Sequence, residues 1–333
     1  MRPTSATFSY PTKEEKNQSV RFRTYVNYFA ALSQYLESTY ASPGELVSRI
    51  TENTTFEKIQ GGKCANPSLL KKLLWNSWFT ELQLHISAPP NELIPYNNHW
   101  APVQLYYTLY LAIRAYFISS GQNVSNKHAS TLTTINNEIH NRSYLFPDPW
   151  RIQCSGDFQK RSITYSNLPA NIQIQSISSL SQSENVEFHD SFCMFLRTTR
   201  KRQIKNKIVQ WKSDNNRKRI KSTERLQLTN NVSPTSIFDA IYRLRIRSNY
   251  QDADSILLTL DLPNIAKQYN YGLRSVSWYS LLALETIIAK YLGRKYYEQI
   301  VKEFICYDLG KVSENLVQKR WGIIENEFKK VSA

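Results

Sequence analysis

The chain has 333 residues, 41% of them hydrophobic and 13% aromatic, which suffices for a sizeable core and excludes a wholly disordered or fibrous protein. It contains only 9 Gly beside 13 Pro, 21 Tyr and 14 Phe, which argues against a glycine-rich β-barrel and a nucleotide-binding α/β fold. Lys and Arg number 42 and Asp and Glu 27, so the formal net charge of +15 indicates a polyanionic partner.

Helical periodicity dominates the first 141 residues. Apolar residues recur at helical spacing over about 18–40, and a capping box with Pro at the first helical position opens a helix over about 42–59. A third helix is predicted from residue 66 to about 82. The stretch 100–120 is the strongest helix, apolar nearly all round, and a shorter helix covers about 127–140.

The character of the chain changes from 142 to about 183, where prolines, Ser, Asn and the alternation at 172–175 predict loops with one or two short strands. Helical periodicity returns over about 188–221. The remaining helices are predicted over about 234–250, 273–305 (one long helix or two) and 313–330.

Together these elements predict a mainly α protein, a helical bundle with an N-terminal helical extension and an irregular, basic insert that carries short strands. The predicted division is 1–65 for the N-terminal segment, 66–141 with 232–333 for the bundle, and 142–231 for the insert.

No signal for a membrane, a cofactor or a metal is found in the sequence. Its most apolar stretch, 103–118, contains Arg114 and is shorter than the ~20 residues that cross a bilayer, so we expect no membrane association and a cytoplasmic location. The five histidines form no i,i+4 pair, and the four cysteines form no C-x-x-C pair. Phosphate-loop, dinucleotide, serine-hydrolase and zinc-protease motifs are all missing. We therefore predict no cofactor and no metal site.

Much of the positive charge is concentrated in residues 197–225, which hold twelve Lys or Arg and only two acids. Such a concentration suits contacts with a phosphate backbone; a solvated helix face and an acidic protein partner are the alternatives. The candidate nucleic-acid contacts are Arg197, Arg200, Lys201, Arg202, Lys205, Lys207, Lys212, Arg217, Lys218, Arg219 and Lys221.

A second candidate site lies on the predicted helix over 237–250. Arg243, Arg247, Tyr250 and Asp254 are spaced to share one face of that helix. Two guanidinium groups and a phenol on one face can grip a phosphate and stack on a base. An ion-pair ladder between packed helices explains the same spacing equally well.

Two segments resemble HEPN domains, the small all-α bundles named for nucleotide binding in higher eukaryotes and prokaryotes. The tyrosine-rich stretch 104–117 followed by Lys127-His128 is similar to the family's second helix and turn, and 243–250 is similar to its final Arg-bearing helix. The resemblance covers about 67–141 and 234–303. It implies an HEPN-like bundle that acts on RNA, commonly in antiviral defence or toxin–antitoxin systems.

Active members of that family cleave RNA without a metal through an R-x4-6-H motif, and this motif is missing here. The first expectation is therefore a non-catalytic subunit or regulator that binds RNA or single-stranded DNA, together with a protein partner or as a homodimer. One alternative is an endoribonuclease with an altered site, for which the candidate catalytic residues are Arg243, Arg247, Tyr250 and His128. The other is a scaffold that docks a protein through Trp75, Trp78, Phe79 and Trp100.

Overall fold

The computed structural model describes residues 18–62, 64–86, 94–123, 125–157, 162–168, 188–250, 263–306 and 314–331. The helices are α1 (Gln18–Thr39), α2 (Pro43–Thr51), α3 (Thr54–Glu57), α4 (Pro67–Ile86), α5 (Ile94–Asn97), α6 (Ala101–Ser119), α7 (His128–Asn141), α8 (Phe188–Asp214), α9 (Ser222–Asn230), α10 (Ile237–Tyr250), α11 (Pro263–Leu292), α12 (Arg294–Ile305) and α13 (Lys319–Val331). A 3-10 turn covers Ser143–Leu145, a π-helical turn covers Glu314–Gln318, and the strands are β1 (Gln153–Ser155) and β2 (Thr164–Ser166).

Helix α6 lies at the centre of the protein, with α4, α7, α10 and α11 packed around it. Because neighbours surround it, residues on all of its sides are buried, among them Leu105, Leu109 and Phe117. An amphipathic helix would leave one polar face for water, and the nearly continuous apolar pattern of this helix leaves none. The prediction of a buried central helix is confirmed.

Helix α1 closes one side of the core by packing against α8 and α11. The approach to α11 is close because Gly272 stands at the crossing, where a Cβ atom would lie 2.9 Å from the carbonyl oxygen of Phe29. Asn270, two residues earlier and fully buried, donates a hydrogen bond to Asn98 beside α5. These contacts explain why α11, a long helix, contains a glycine and a buried asparagine in its interior.

The two strands form a short antiparallel ribbon in which Cys154 pairs with Tyr165. On its other side Cys154 exchanges two 2.9 Å backbone hydrogen bonds with Thr235, just before α10. The ribbon therefore fixes the start of α10. The chain turns after β1 at Gly156, whose φ is +88°. A side chain at this position would collide with the carbonyl of Ser162.

A fully buried ion cluster joins α4, α11 and α13. Arg320 donates to Glu81 at 2.7 Å and to both carboxylate oxygens of Glu285 at 3.0 and 2.9 Å. Trp78 also donates to Glu285, at 2.8 Å. Glu285 thus accepts three hydrogen bonds, whereas the second oxygen of Glu81 has no hydrogen-bond partner. Burial, only partly offset by Arg320, raises the pKa of Glu81 to about 7.

The mainly α class predicted from the sequence is confirmed, with differences at the ends of elements. Helix α8 ends at Asp214 instead of near 221, and α9 was not predicted. The predicted helix over 273–305 begins ten residues earlier, and Gly293 divides it into α11 and α12. The alternation at 172–175 lies outside the described residues.

Two further expectations bear on the fold. Within the part of the chain that the structure describes, no helix is both long and apolar enough to cross a membrane. All four cysteines are free, so no disulfide is formed, in agreement with their spacing.

Replacing Arg320 with Met should lower the free energy of unfolding by about 3–5 kcal/mol, because two carboxylates would remain buried without their cation. Lys319→Met, the adjacent and exposed position on α13, is the matched control and should leave it nearly unchanged. Urea denaturation followed by circular dichroism measures both. Equal stability of the two variants would contradict a role for the cluster in holding α13.

Candidate nucleic-acid interface

Most of the predicted nucleic-acid contacts lie on a helical hairpin formed by α8, the turn 215–221 and α9, here called the basic hairpin. From residue 205 onwards α8 has almost no buried side chain, so this half of the helix projects away from the core. Arg197, Arg202 and Lys212 are half-buried. The exposed cations are Lys201, Lys205, Lys207, Arg217, Lys218, Arg219 and Lys221.

Arg200 does not belong to this surface, and we remove it from the set of predicted contacts. Only 2% of the residue is exposed. Its guanidinium donates to the carbonyl oxygens of Gly156, Thr229, Val232 and Ser233 at 2.5–3.2 Å. All four acceptors belong to segments that close the base of the hairpin. Arg200 is therefore a structural residue.

A second arginine, half-buried, anchors the other arm of the hairpin. Arg225, on α9, forms a bidentate pair with Asp157 at 2.7 and 2.9 Å, and the side chain of Asp157 is 1% exposed. Bidentate pairs of this kind fix orientation as well as distance. The arm carrying α9 is therefore fixed to the end of the β ribbon.

The turn of the hairpin is held by contacts of its own. Arg217 donates to Glu224 at 2.9 Å and lies over the ring of Trp211, 5.7 Å from its centroid. The side chain of Glu224 also accepts from the backbone N–H of Lys221, which caps α9. These contacts place Lys218 and Arg219, both exposed, at the tip.

A cavity of about 380 Å³ opens beside the hairpin, between α7, α8, α10 and the segment 231–233. Arg202 and Lys207 of α8 and Arg243 of α10 bring three cations to its lining. Tyr242 of α10 lines the same space. Polar side chains and a few aliphatic ones complete the wall, which has the character of ligand sites in general.

Asp239 is the carboxylate of this cavity, and it is buried. It accepts hydrogen bonds from Asn136 at 2.7 Å, Gln203 at 2.9 Å and the backbone N–H of Ser236 at 2.9 Å. Burial raises the pKa of Asp239 to about 6, although these three hydrogen bonds and Arg200 work against the rise. Near neutral pH the Asp239 carboxyl is thus mostly ionised, and it shares the cavity lining with the three cations.

His128, at the start of α7, lies in an aromatic cluster next to the cavity. Its Nδ1 atom is 2.8 Å from the hydroxyl of Tyr106, and its ring is 4.5 Å from that of Tyr110. Tyr242, which lines the cavity, is stacked on His128 with ring centroids 6.0 Å apart. Burial lowers the pKa of His128, and the nearby charge of Arg245 lowers it further. The imidazole is therefore neutral at physiological pH.

The predicted Arg face of α10 is only partly assembled as expected. A separate, apolar stripe of this helix contains Ile237, Ile241 and Leu244, which are buried. Arg243 turns towards α8, where it donates to Thr198 at 2.9 Å and Thr199 at 3.3 Å. Arg247 is half-buried. The side chain of Tyr250 and all of Asp254 lie outside the described residues.

Two residues that the sequence did not single out, Tyr242 and Arg245, are the ones that α10 brings to His128. Arg245 donates to the hydroxyl of Tyr107 at 3.0 Å and lies over the rings of Tyr106 and Tyr107. The spacing of Arg243 and Arg247 drew attention away from the residues between them. The predicted aromatic docking face is also divided, because Trp78 is buried in the core whereas Trp100 is 47% exposed.

Among residues 18–331, excluding the gaps in the described chain, no group of three or more His, Cys, Asp or Glu could hold a metal ion. Comparison with known proteins adds no family: the chain matches no protein-family model, no curated protein and no solved structure. The resemblance to HEPN domains therefore rests on the sequence segments alone.

Exchange of Arg200 for Met should lower the free energy of unfolding by about 2–3 kcal/mol, because four carbonyl groups at the base of the hairpin would lose a charged donor. Lys201→Met removes the same charge one residue away, from an exposed position, and should leave stability nearly unchanged. Thermal and urea unfolding distinguish the two variants. If Arg200→Met and Lys201→Met lower the free energy of unfolding equally, Arg200 is not an anchor of the hairpin.

The ring of His128 should titrate below the ordinary histidine pKa of about 6.5. Replacing Arg245 with Met should raise that pKa, because a positive neighbour that disfavours the imidazolium has been removed. NMR of the ring protons across pH 4–8 measures it, with Lys295→Met, an exposed lysine on α12, as the control. A His128 pKa that does not respond to Arg245→Met would contradict their electrostatic coupling.

Proposed function

We propose that this protein binds nucleic acid, with RNA as the preferred partner, through the exposed cations of the basic hairpin. The observation that carries the proposal is the separation of two kinds of basic residue within one segment. Arg200 is buried and Arg225 is half-buried, and both are bonded to the fold. The cations around the hairpin tip are exposed and lie outside the hydrophobic core.

A phosphate backbone is the partner that such a surface fits best. Every phosphate neutralised by a lysine or arginine releases condensed counterions, which favours binding at low salt. An acidic protein would be attracted by the same charge. Exposed cations spread along α8 and its following turn suit a continuous polyanion that can follow them, and single-stranded DNA is the closest competitor to RNA.

The proposal includes the absence of catalysis, and the surroundings of His128 support it. A general acid or base for RNA cleavage needs a group that titrates near neutral pH within reach of the ribose 2′-hydroxyl. The Nδ1 atom of His128 is within hydrogen-bond distance of Tyr106 in an aromatic cluster, and the R-x4-6-H motif of active HEPN members is missing. We therefore propose a binding subunit rather than a ribonuclease.

The HEPN-like character of the bundle stays part of the proposal. The two segments that carry the resemblance form α6 with the start of α7, and α10, and α6 packs against α10. The resemblance adds the expectation that this subunit serves an antiviral-defence or RNA-processing assembly, with a protein partner or a second copy.

The triple variant Lys205→Glu, Lys218→Glu, Arg219→Glu, at exposed positions that leave the Arg217–Glu224 pair intact, should weaken binding of a labelled structured RNA at low salt by at least about tenfold. It should also lower the slope of log affinity against log salt by about 2–3, because three phosphate contacts are lost. Native gels over a salt series, with RNA and single-stranded DNA of equal length, measure both effects.

The matched control reverses three exposed lysines on other helices, with Lys72→Glu, Lys295→Glu and Lys319→Glu. It changes the net charge by the same amount and should bind almost as the native protein does. Equal weakening in the two triple variants would show that only total charge matters. New fragments on a parallel denaturing gel would replace the binding subunit with the ribonuclease alternative.

A further inference from the structure

The cavity beside the basic hairpin has a charge arrangement that suits a particular part of a nucleic acid. Lys207 is exposed, and Arg202 and Arg243 are half-buried, so positive charge lies towards the opening of the cavity. Asp239 is buried, so the inner end carries a carboxylate. A phosphate group is attracted to the opening and repelled by the inner end. What enters more deeply has to be neutral.

The inner wall offers contacts for a flat, neutral group with donors and acceptors. Tyr242 presents an aromatic side chain, and Leu132 and Ile246 supply aliphatic surface. Nearer the opening, the exposed Asn206 and Gln210 add amides, each of which can donate and accept. A nucleobase has the matching features, namely an aromatic face and polar edges. A bare phosphate would leave this wall unused.

The size of the cavity and the fixed position of Tyr242 both fit a single base as the ligand. About 380 Å³ lies near the lower end of the range for small-ligand pockets and has room for a single base. The ring of Tyr242 is held from behind by His128 and by Tyr106, whose centroid is 5.1 Å away. A tyrosine fixed in this way loses little conformational entropy when a base stacks on it.

We infer that this cavity receives a single unpaired nucleotide of the RNA bound by the basic hairpin, with the base against Tyr242 and the phosphate at Lys207 and Arg202. The inference rests on the proposed function and adds to it. The hairpin cations supply affinity for any backbone, and the cavity supplies a preference for RNA with an unpaired base.

The first test compares two labelled RNA hairpins that differ only by one bulged nucleotide in the stem. The native protein should bind the bulged RNA about tenfold more tightly, as expected for one base stacked on an aromatic side chain. Ala129→Trp fills the cavity from an exposed position on α7 and should abolish this preference while the affinity for the paired stem persists. Ser130→Trp introduces the same side chain at the next exposed position, which does not line the cavity, and should keep the preference.

The second test needs no variant. A 4-thiouridine at the bulged position, irradiated in the complex, should cross-link to the tryptic peptide 226–243, which contains Tyr242. Cross-links confined to peptides from 213–221, which do not line the cavity, would overturn the inference, as would equal affinity for the two RNAs or a preference that survives Ala129→Trp. In each of these results the RNA is still bound, so the proposed function stands. If the native protein binds neither RNA, both the proposed function and the inference are overturned.

Discussion

The guanidinium group of Arg320, buried between two glutamates, is the contact on which the arrangement of the bundle depends. It joins α13 to α4 and α11, and α4 and α11 are two of the helices that enclose α6. A buried ion cluster contributes little net stability compared with apolar packing, but a misplaced helix would leave its charges unpaired. The cluster therefore favours one register among packings that apolar contacts alone would leave similar in energy. The surface of α6 that receives α7 and α10, and with them two walls of the cavity, depends on that register.

The parts of the fold that the sequence predicts well are those in which local pattern and burial agree. Helix α6 is one case, since its apolar residues surround the axis and it lies at the centre. The start of α11 is the opposite case. Asn270 and Gly272 interrupt the apolar pattern there, because one is bonded to Asn98 and the other admits α1. Contacts with residues far away in the sequence compensate for the weak local pattern. A local segment of the sequence cannot reveal them, because it does not contain the partner residues.

The same reasoning applies to the candidate site. Arg200 and Lys201 are adjacent cations that any count of charge treats alike, yet one is bonded to four carbonyls and the other is exposed. The acceptors of Arg200 lie between 29 and 44 residues away along the chain. Helix α9 went unpredicted for a related reason, because it is short and polar and is fixed by Arg225 to Asp157. The sequence around Tyr242 does not mark it as a site residue. Its ring neighbours, Tyr106 of α6 and His128 of α7, are brought to it only by the packing of these helices.

The position of the basic hairpin also has a consequence for the continuity of the chain. Helices α4 and α6 precede the hairpin, α10 and α11 follow it, and all four belong to one core. The tip near Lys218 is exposed, while the base is closed by Arg200 and Arg225. An interruption of the backbone at the tip would therefore leave two segments that are still interlocked through the core. In topological terms the tip is a natural place for new chain ends, and a circular permutant opened there would retain every contact of the bundle.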